Sequence, residues 1–61
     1  MLRVCVIGLG PIGNKHARIY QEDDLVDLVG VCDVREDRAI AASKTYGVPY
    51  YLDVPTMLKE L

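Results

Sequence analysis

The feature that most constrains this chain is an apolar run that ends abruptly in glycines. Val4-Cys5-Val6-Ile7 leads straight into Gly8-Leu9-Gly10-Pro11-Ile12-Gly13. A short continuous apolar run bounded by a turn reads as a strand buried on both faces. Helical periodicity follows from Pro11 to about Gln21, with Ile12, His16, Ile19 and Tyr20 expected on one face and Lys15, Arg18 and Glu22 pointing away. Pro11 suits the first helical position, where its missing N–H would be unpaired anyway.

The rest of the chain repeats this alternation. Leu25 to Cys32 reads as a second strand, apolar apart from Asp27 near its exposed beginning, and it stops at Asp33. Arg35 to Tyr46 reads as a second helix, with Glu36 and Asp37 in its first turn, where they suit the helix dipole, and Gly47 closing it. Val48 to Leu52 reads as a short third strand, and Asp53 suits the cap of a last helix beginning near Pro55. The tyrosines at 20, 46, 50 and 51 read as packing residues with wet hydroxyls.

Strands alternating with helices of this length imply right-handed crossovers and a parallel sheet. The expected fold is therefore α/β, a Rossmann-like βαβαβα half-domain with three parallel strands in the order 3-2-1. Two successive crossovers in one direction put the first two helices on the same face. The first strand is then an open edge, and only the last helix covers part of the other face. Such a surface invites strand pairing, so a two-fold homodimer, first strand against first strand, is expected.

Composition narrows the function. With 61 residues, the chain buries only about 60% of the surface its unfolded form exposes, so its stability is marginal. The net charge of −2, with both signs interspersed, offers no nucleic-acid surface and no polybasic membrane anchor. The apolar runs are too short to span a bilayer, and no signal-peptide pattern precedes the glycine turn. Cys5 and Cys32 sit in apolar runs without a CxxC motif and read as buried free thiols, which points to a reducing, cytoplasmic setting. No spacing suggests a metal site.

The glycine spacing carries the chemistry. A GxGxxG run is weak alone, but here it follows a buried strand, opens a helix, and precedes an acidic strand end, Asp33, by 20 positions counted from Gly13. Gly8 permits the tight turn, Gly10 lets the backbone approach a pyrophosphate, and Gly13 lets the helix pack closely on the first strand. The helix start supplies N–H groups for the phosphates, and because Pro11 has none, Ile12 and Gly13 must carry more of that contact. Asp33 would accept hydrogen bonds from the adenosine ribose and repel a 2′-phosphate, which favours NAD over NADP; Arg35 is the side chain placed to meet such a phosphate. The plain alternative is a glycine turn without ligand and an aspartate that caps a helix. Lys15 and Arg18 read as solvated charges, and His16 as a locally packed histidine rather than a catalytic one.

Three stretches carry a family resemblance: Val4 to His16 with its GxGxxGxxH pattern, Leu28-Val29-Gly30-Val31-Cys32-Asp33, and Tyr46-Gly47-Val48-Pro49-Tyr50-Tyr51-Leu52-Asp53. In that order they resemble the opening of the Gfo/Idh/MocA oxidoreductases, the glucose–fructose oxidoreductase and inositol dehydrogenase family. The resemblance implies NAD(P)-dependent oxidation of a secondary alcohol on a sugar, nucleotide-sugar or cyclitol, or the reverse. Gly8, Gly10, Gly13 and Asp33 match its cofactor-binding positions. Family members also carry a downstream Glu-Lys-Pro motif, whose lysine helps proton transfer, and a second α/β domain for the substrate. Neither occurs in this sequence. Residues 1–61 therefore read as the first part of a dinucleotide-binding domain, expected to bind without turning over substrate. Two other classes fit the same motif: a dinucleotide-sensing regulatory module and a self-assembling structural half-domain.

Overall fold

In the computed structural model, which describes residues 2–61, strands and helices alternate strictly. The elements are β1 (Leu2–Ile7), α1 (Pro11–Glu22), β2 (Val26–Cys32), α2 (Glu36–Tyr46), β3 (Tyr50–Tyr51) and α3 (Val54–Glu60). The strands form one parallel sheet in the order β1-β2-β3, which is 3-2-1 read from the other edge. The α/β class and topology expected from the sequence are both found.

One irregularity decides which side chains share a face. β1 and β2 pair from Leu2↔Val26 to Ile7↔Cys32, with a shift in register between Val4 and Cys5. Val4 pairs with Leu28 and Val6 with Val31, so the extra residue in β2 turns both Leu28 and Val31 to the side of Val4 and Val6. That side carries the core: Val6, Leu28 and Val31 pack with Leu9, Ala17 of α1 and Ala42 of α2, and Val4, Tyr20, Tyr46 and Val48 close around them.

α1 and α2 therefore lie on one face, as two right-handed crossovers require. α3 covers part of the other. A Cβ added at Gly30 would stand 3.4 Å from the Leu61 side chain and 3.3 Å from the Tyr51 ring, so the end of α3 lies against β2 there. Met57 of α3 is fully buried.

Several expectations need correction. Ile12, His16 and Ile19 do not face the core: they are exposed, and α1 instead turns Gly13, Ala17 and Tyr20 inward. Close approach of helix to sheet selects small residues, which an apolar-periodicity count overlooks. β3 is only Tyr50–Tyr51, paired with Val31 and Cys32 at the end of β2. Leu25 precedes β2 and is exposed, and Cys5 is half-buried while Cys32 is buried. The Tyr46 hydroxyl is not wet: it donates to the Asn14 carbonyl at 2.9 Å and ties α2 to α1.

Candidate functional site

The loop between β1 and α1 is fastened from below. Gly8 takes φ +87°, a conformation that side chains rarely adopt, and its N–H donates to the Cys32 carbonyl at 2.9 Å. Leu9 follows and drops its side chain into the core, where it is 2% exposed. Its N–H donates to Asp33 Oδ2 at 2.7 Å. Sequence reasoning missed Leu9; the one signal for it was an apolar residue between two glycines.

Gly13 and Gly10 differ in what they permit. A Cβ at Gly13 would lie 1.7 Å from the Gly8 carbonyl oxygen, so the third glycine exists because α1 rests on the turn that leaves β1. Gly10 answers no such need. Its φ is −69°, and a Cβ there would meet only Arg38 Nη1, at an ordinary 3.7 Å. As the N-cap of α1 a glycine suits that position, but no contact among the described residues requires one.

The start of α1 is electrostatically bare. It has Gly10 as its N-cap with no side-chain hydrogen bond, Pro11 at its beginning, and no acidic residue in its first turn. The first bond of the helix is from the Asn14 N–H to the Gly10 carbonyl at 2.9 Å, so the N–H groups of Ile12 and Gly13 have no backbone partner among the described residues. The partial positive charge of the helix start is thus left uncompensated.

Asp33 stands beside this loop at the end of β2. It is the buried charged residue among the described residues. Oδ2 accepts from Leu9 and Oδ1 accepts from the Arg35 N–H at 2.9 Å. The Arg35 N–H first, then that of Leu9, hold its carboxyl below the ordinary carboxylate range against the opposing effect of burial, and the charges of Arg38 and Arg35 add to them. The group is an anion at neutral pH. Each oxygen keeps a further acceptor position, so the internal bonds leave room for donors from outside. Asp33 thus braces the loop after β1 and the chain ahead of α2, whose N-cap is Arg35.

The remaining candidates divide. Pro11 and Ile12 lie at the loop, exposed. Arg35 precedes α2, and its side chain pairs with Asp37 at 3.3 Å. Arg38, which sequence reasoning passed over, reaches the loop instead. Burial, followed by the Asp53, Asp33 and Cys5 charges, pushes the Cys32 thiol up, which disfavours its thiolate form. His16 stacks obliquely on Tyr20, with ring centres 6.5 Å apart, in keeping with a local role. An open groove of about 330 Å³ runs beside Asn14, Lys15, Arg18 and Tyr46 and shares only Pro11 with the glycine-loop candidates. No group of three or more potential metal ligands clusters among the described residues, and none of the described helices is long and apolar enough to cross a membrane.

The comparisons with known proteins agree with this geometry. A protein assigned as a myo-inositol dehydrogenase from Sinorhizobium meliloti superposes with a TM-score of 0.80 at 29% identity, over 84% of this chain and 16% of its own. A protein assigned as a dehydrogenase from Thermotoga maritima superposes with a TM-score of 0.83 at 43% identity, over 93% of this chain and 17% of its own. The chain thus spans about a sixth of the length of these relatives. No curated protein has a matching sequence. The profile of a family described as an oxidoreductase family with an NAD-binding Rossmann fold matches residues 2–61, and the chain belongs to that family, Gfo/Idh/MocA.

Proposed function

We propose that this chain binds NAD through the β1–α1 loop and Asp33, as the cofactor-binding part of an oxidoreductase acting on a secondary alcohol of a sugar, nucleotide-sugar or cyclitol. The observation that carries the reading is Gly10. The chain itself needs no glycine there, yet the residue borders a bare helix start and a fixed anion. A pyrophosphate close to the backbone gives the missing reason, since a Cβ would occupy its place.

The roles follow from the geometry. Gly8 makes the turn, Gly10 and Pro11 form the surface of approach, and the N–H groups of Ile12 and Gly13 serve the phosphates. Asp33 takes the ribose hydroxyls on its free acceptor positions and disfavours a 2′-phosphate, so NAD is preferred to NADP. Arg35 shapes this end through its N–H to Asp33, with its guanidinium held by Asp37. The nicotinamide, when bound, supplies hydride transfer. The roles of these residues are to bind and orient the dinucleotide, and none is assigned to the substrate proton. The cyclitol or sugar class draws support from the Sinorhizobium meliloti relative assigned as a myo-inositol dehydrogenase.

An amide NMR titration tests the reading. NAD⁺ should shift the Gly8, Gly10, Ile12, Gly13 and Asp33 signals saturably and at lower concentration than NADP⁺. A dispersed spectrum that ignores both nucleotides would falsify it.

A second proposal concerns the free edge. β1 lies at the edge of the sheet, and Leu2 and Ile7 on it are 65% and 58% exposed, with Ile12 and Ile19 of α1 exposed nearby in the chain. We infer that two copies pair through β1 into a six-stranded sheet. Sedimentation equilibrium should give twice the monomer mass, whereas a monomer at millimolar concentration rules the pairing out.

A further inference from the structure

We propose that Asn14 is a positioning residue of the glycine loop, holding the Leu9 and Gly10 carbonyls so that the Gly10 N–H is presented to the pyrophosphate of a dinucleotide. The proposal rests on the cofactor-binding reading above and adds the residue that shapes the loop for it.

Asn14 lies in the first turn of α1, and its side chain turns back on the loop that precedes the helix. Its amide Nδ2 donates to the Leu9 carbonyl at 2.7 Å and to the Gly10 carbonyl at 3.3 Å. Both partners are acceptors only, so the nitrogen end of the amide must face the loop. The oxygen end faces Tyr46, whose hydroxyl lies 3.3 Å from Asn14 Oδ1 and donates to the Asn14 backbone carbonyl at 2.9 Å. Tyr46 ends α2, 32 positions along the chain, and its own carbonyl accepts Gln21 Nε2. The loop is therefore fastened sideways to α2 through Asn14, in addition to its bond with Asp33.

This clasp decides which way one peptide faces. The Leu9–Gly10 peptide is trans, so its N–H points opposite to its carbonyl. With the carbonyl turned to Asn14, the Gly10 N–H is turned away from it. Among the described residues that N–H has no hydrogen-bond partner. Pro11 offers no N–H, so Gly10 is the last backbone donor before Ile12.

A peptide free to rotate here would present its carbonyl oxygen as readily as its N–H. The partial negative charge of that oxygen opposes a phosphate, whereas the N–H attracts one. Asn14 removes the unfavourable choice before any ligand arrives. Both of its amide hydrogens are already spent on the loop, so it acts by shaping the loop rather than by touching the ligand.

Titrations read by amide NMR, with ADP-ribose and separately with adenosine, test the assignment, since only the first probe carries a pyrophosphate. In Asn14→Ala, ADP-ribose should bind about tenfold more weakly and adenosine within about twofold of the unmodified chain. Tyr46→Phe removes a single oxygen and should show the same selectivity at about threefold, which keeps the test open if Asn14→Ala is poorly folded. The double variant should lose no more than Asn14→Ala alone, because the hydroxyl acts through the amide. Without ligand, the Gly10 amide signal should move or broaden in both single variants while that of Gly30 in β2 stays. Equal losses on both probes, no loss on ADP-ribose, additive losses in the double variant or an unmoved Gly10 signal would each overturn the assignment and leave the binding site standing. If the unmodified protein binds neither probe, the cofactor reading fails and this inference fails with it.

Discussion

At the start of α3, the Asp53 carboxylate accepts the Thr56 N–H at 2.8 Å, and at the start of α2, Glu36 and Asp37 face the helix dipole. α1 begins with neither a side-chain cap nor an acidic first-turn residue. Two helix starts thus carry carboxylates, one as a hydrogen-bonded cap and one as first-turn charge without a cap bond, and the third carries neither. Asp33 lies beside the bare start, but it is spent on Leu9 and Arg35 rather than on α1. The difference separates what the fold needs from what it holds open. Substitutions on either side of that line should behave differently.

The largest effect belongs to Gly13. A Cβ 1.7 Å from the Gly8 carbonyl cannot be absorbed by a side chain, so either α1 or the turn must move. Gly13→Ala should cost on the order of 3 kcal/mol, the upper range of overpacking, and leave a small domain substantially unfolded. A cooperative melt close to that of the unmodified chain would mean that α1 sits farther from β1 than described.

Leu9 comes next. Leu9→Ala removes a nearly fully buried side chain and should cost about 2–3 kcal/mol in a urea titration. Because Leu9 also ties the loop to Asp33 through its N–H, the loop amide signals should broaden in the folded fraction. Loss of stability with the Gly8 and Gly10 signals unmoved would separate core packing from loop order, and so blunt the comparison.

Acid should act through the two carboxylates that accept backbone N–H groups. Asp33 and Asp53 are both held below the ordinary carboxylate range by backbone N–H groups, chiefly those of Arg35 and Thr56. A carboxyl whose folded pKa is depressed stabilises fully above its unfolded value of about 3.9, and that stabilisation is lost as pH falls through the lower folded value. The melting temperature should therefore be level from neutrality to about pH 5 and fall below about pH 4. In the Asp53→Asn variant the acid limb should be shallower. An unchanged limb would assign the acid sensitivity to other carboxylates.

These effects also mark how much of the molecule could be read in the residues. The strand–glycine–helix passage and the spacing to Asp33 were legible because the first and third glycines have a local cause and an aspartate ending a strand has few alternatives. The face of α1 was not. Ile12, His16 and Ile19 recur at helical spacing, but the inward stripe of Gly13 and Ala17 is chosen for closeness, which carries no hydropathy signal. The register shift beside Val4 was invisible for a similar reason, since Leu28 and Val31 share a face only once the pairing is known. Nothing in the sequence singles out Arg38 among the charged residues of α2. Only the return of its side chain over the loop distinguishes it from Arg35.

The smallest effect on stability is the most informative. Gly10→Ala meets an unstrained φ and a single ordinary contact with a flexible arginine, so folding should lose no more than a weak helix cap, at most about 1 kcal/mol. Nucleotide binding should nevertheless be abolished, because the new methyl occupies the space through which a pyrophosphate reaches the backbone. The pairing of those two results is what matters. An unaltered melt with lost binding makes Gly10 a residue kept for a ligand, as the bare start of α1 implies. An unaltered melt with NAD binding intact would leave the second glycine without any cause beyond a weak helix cap, and would move the phosphates away from this loop.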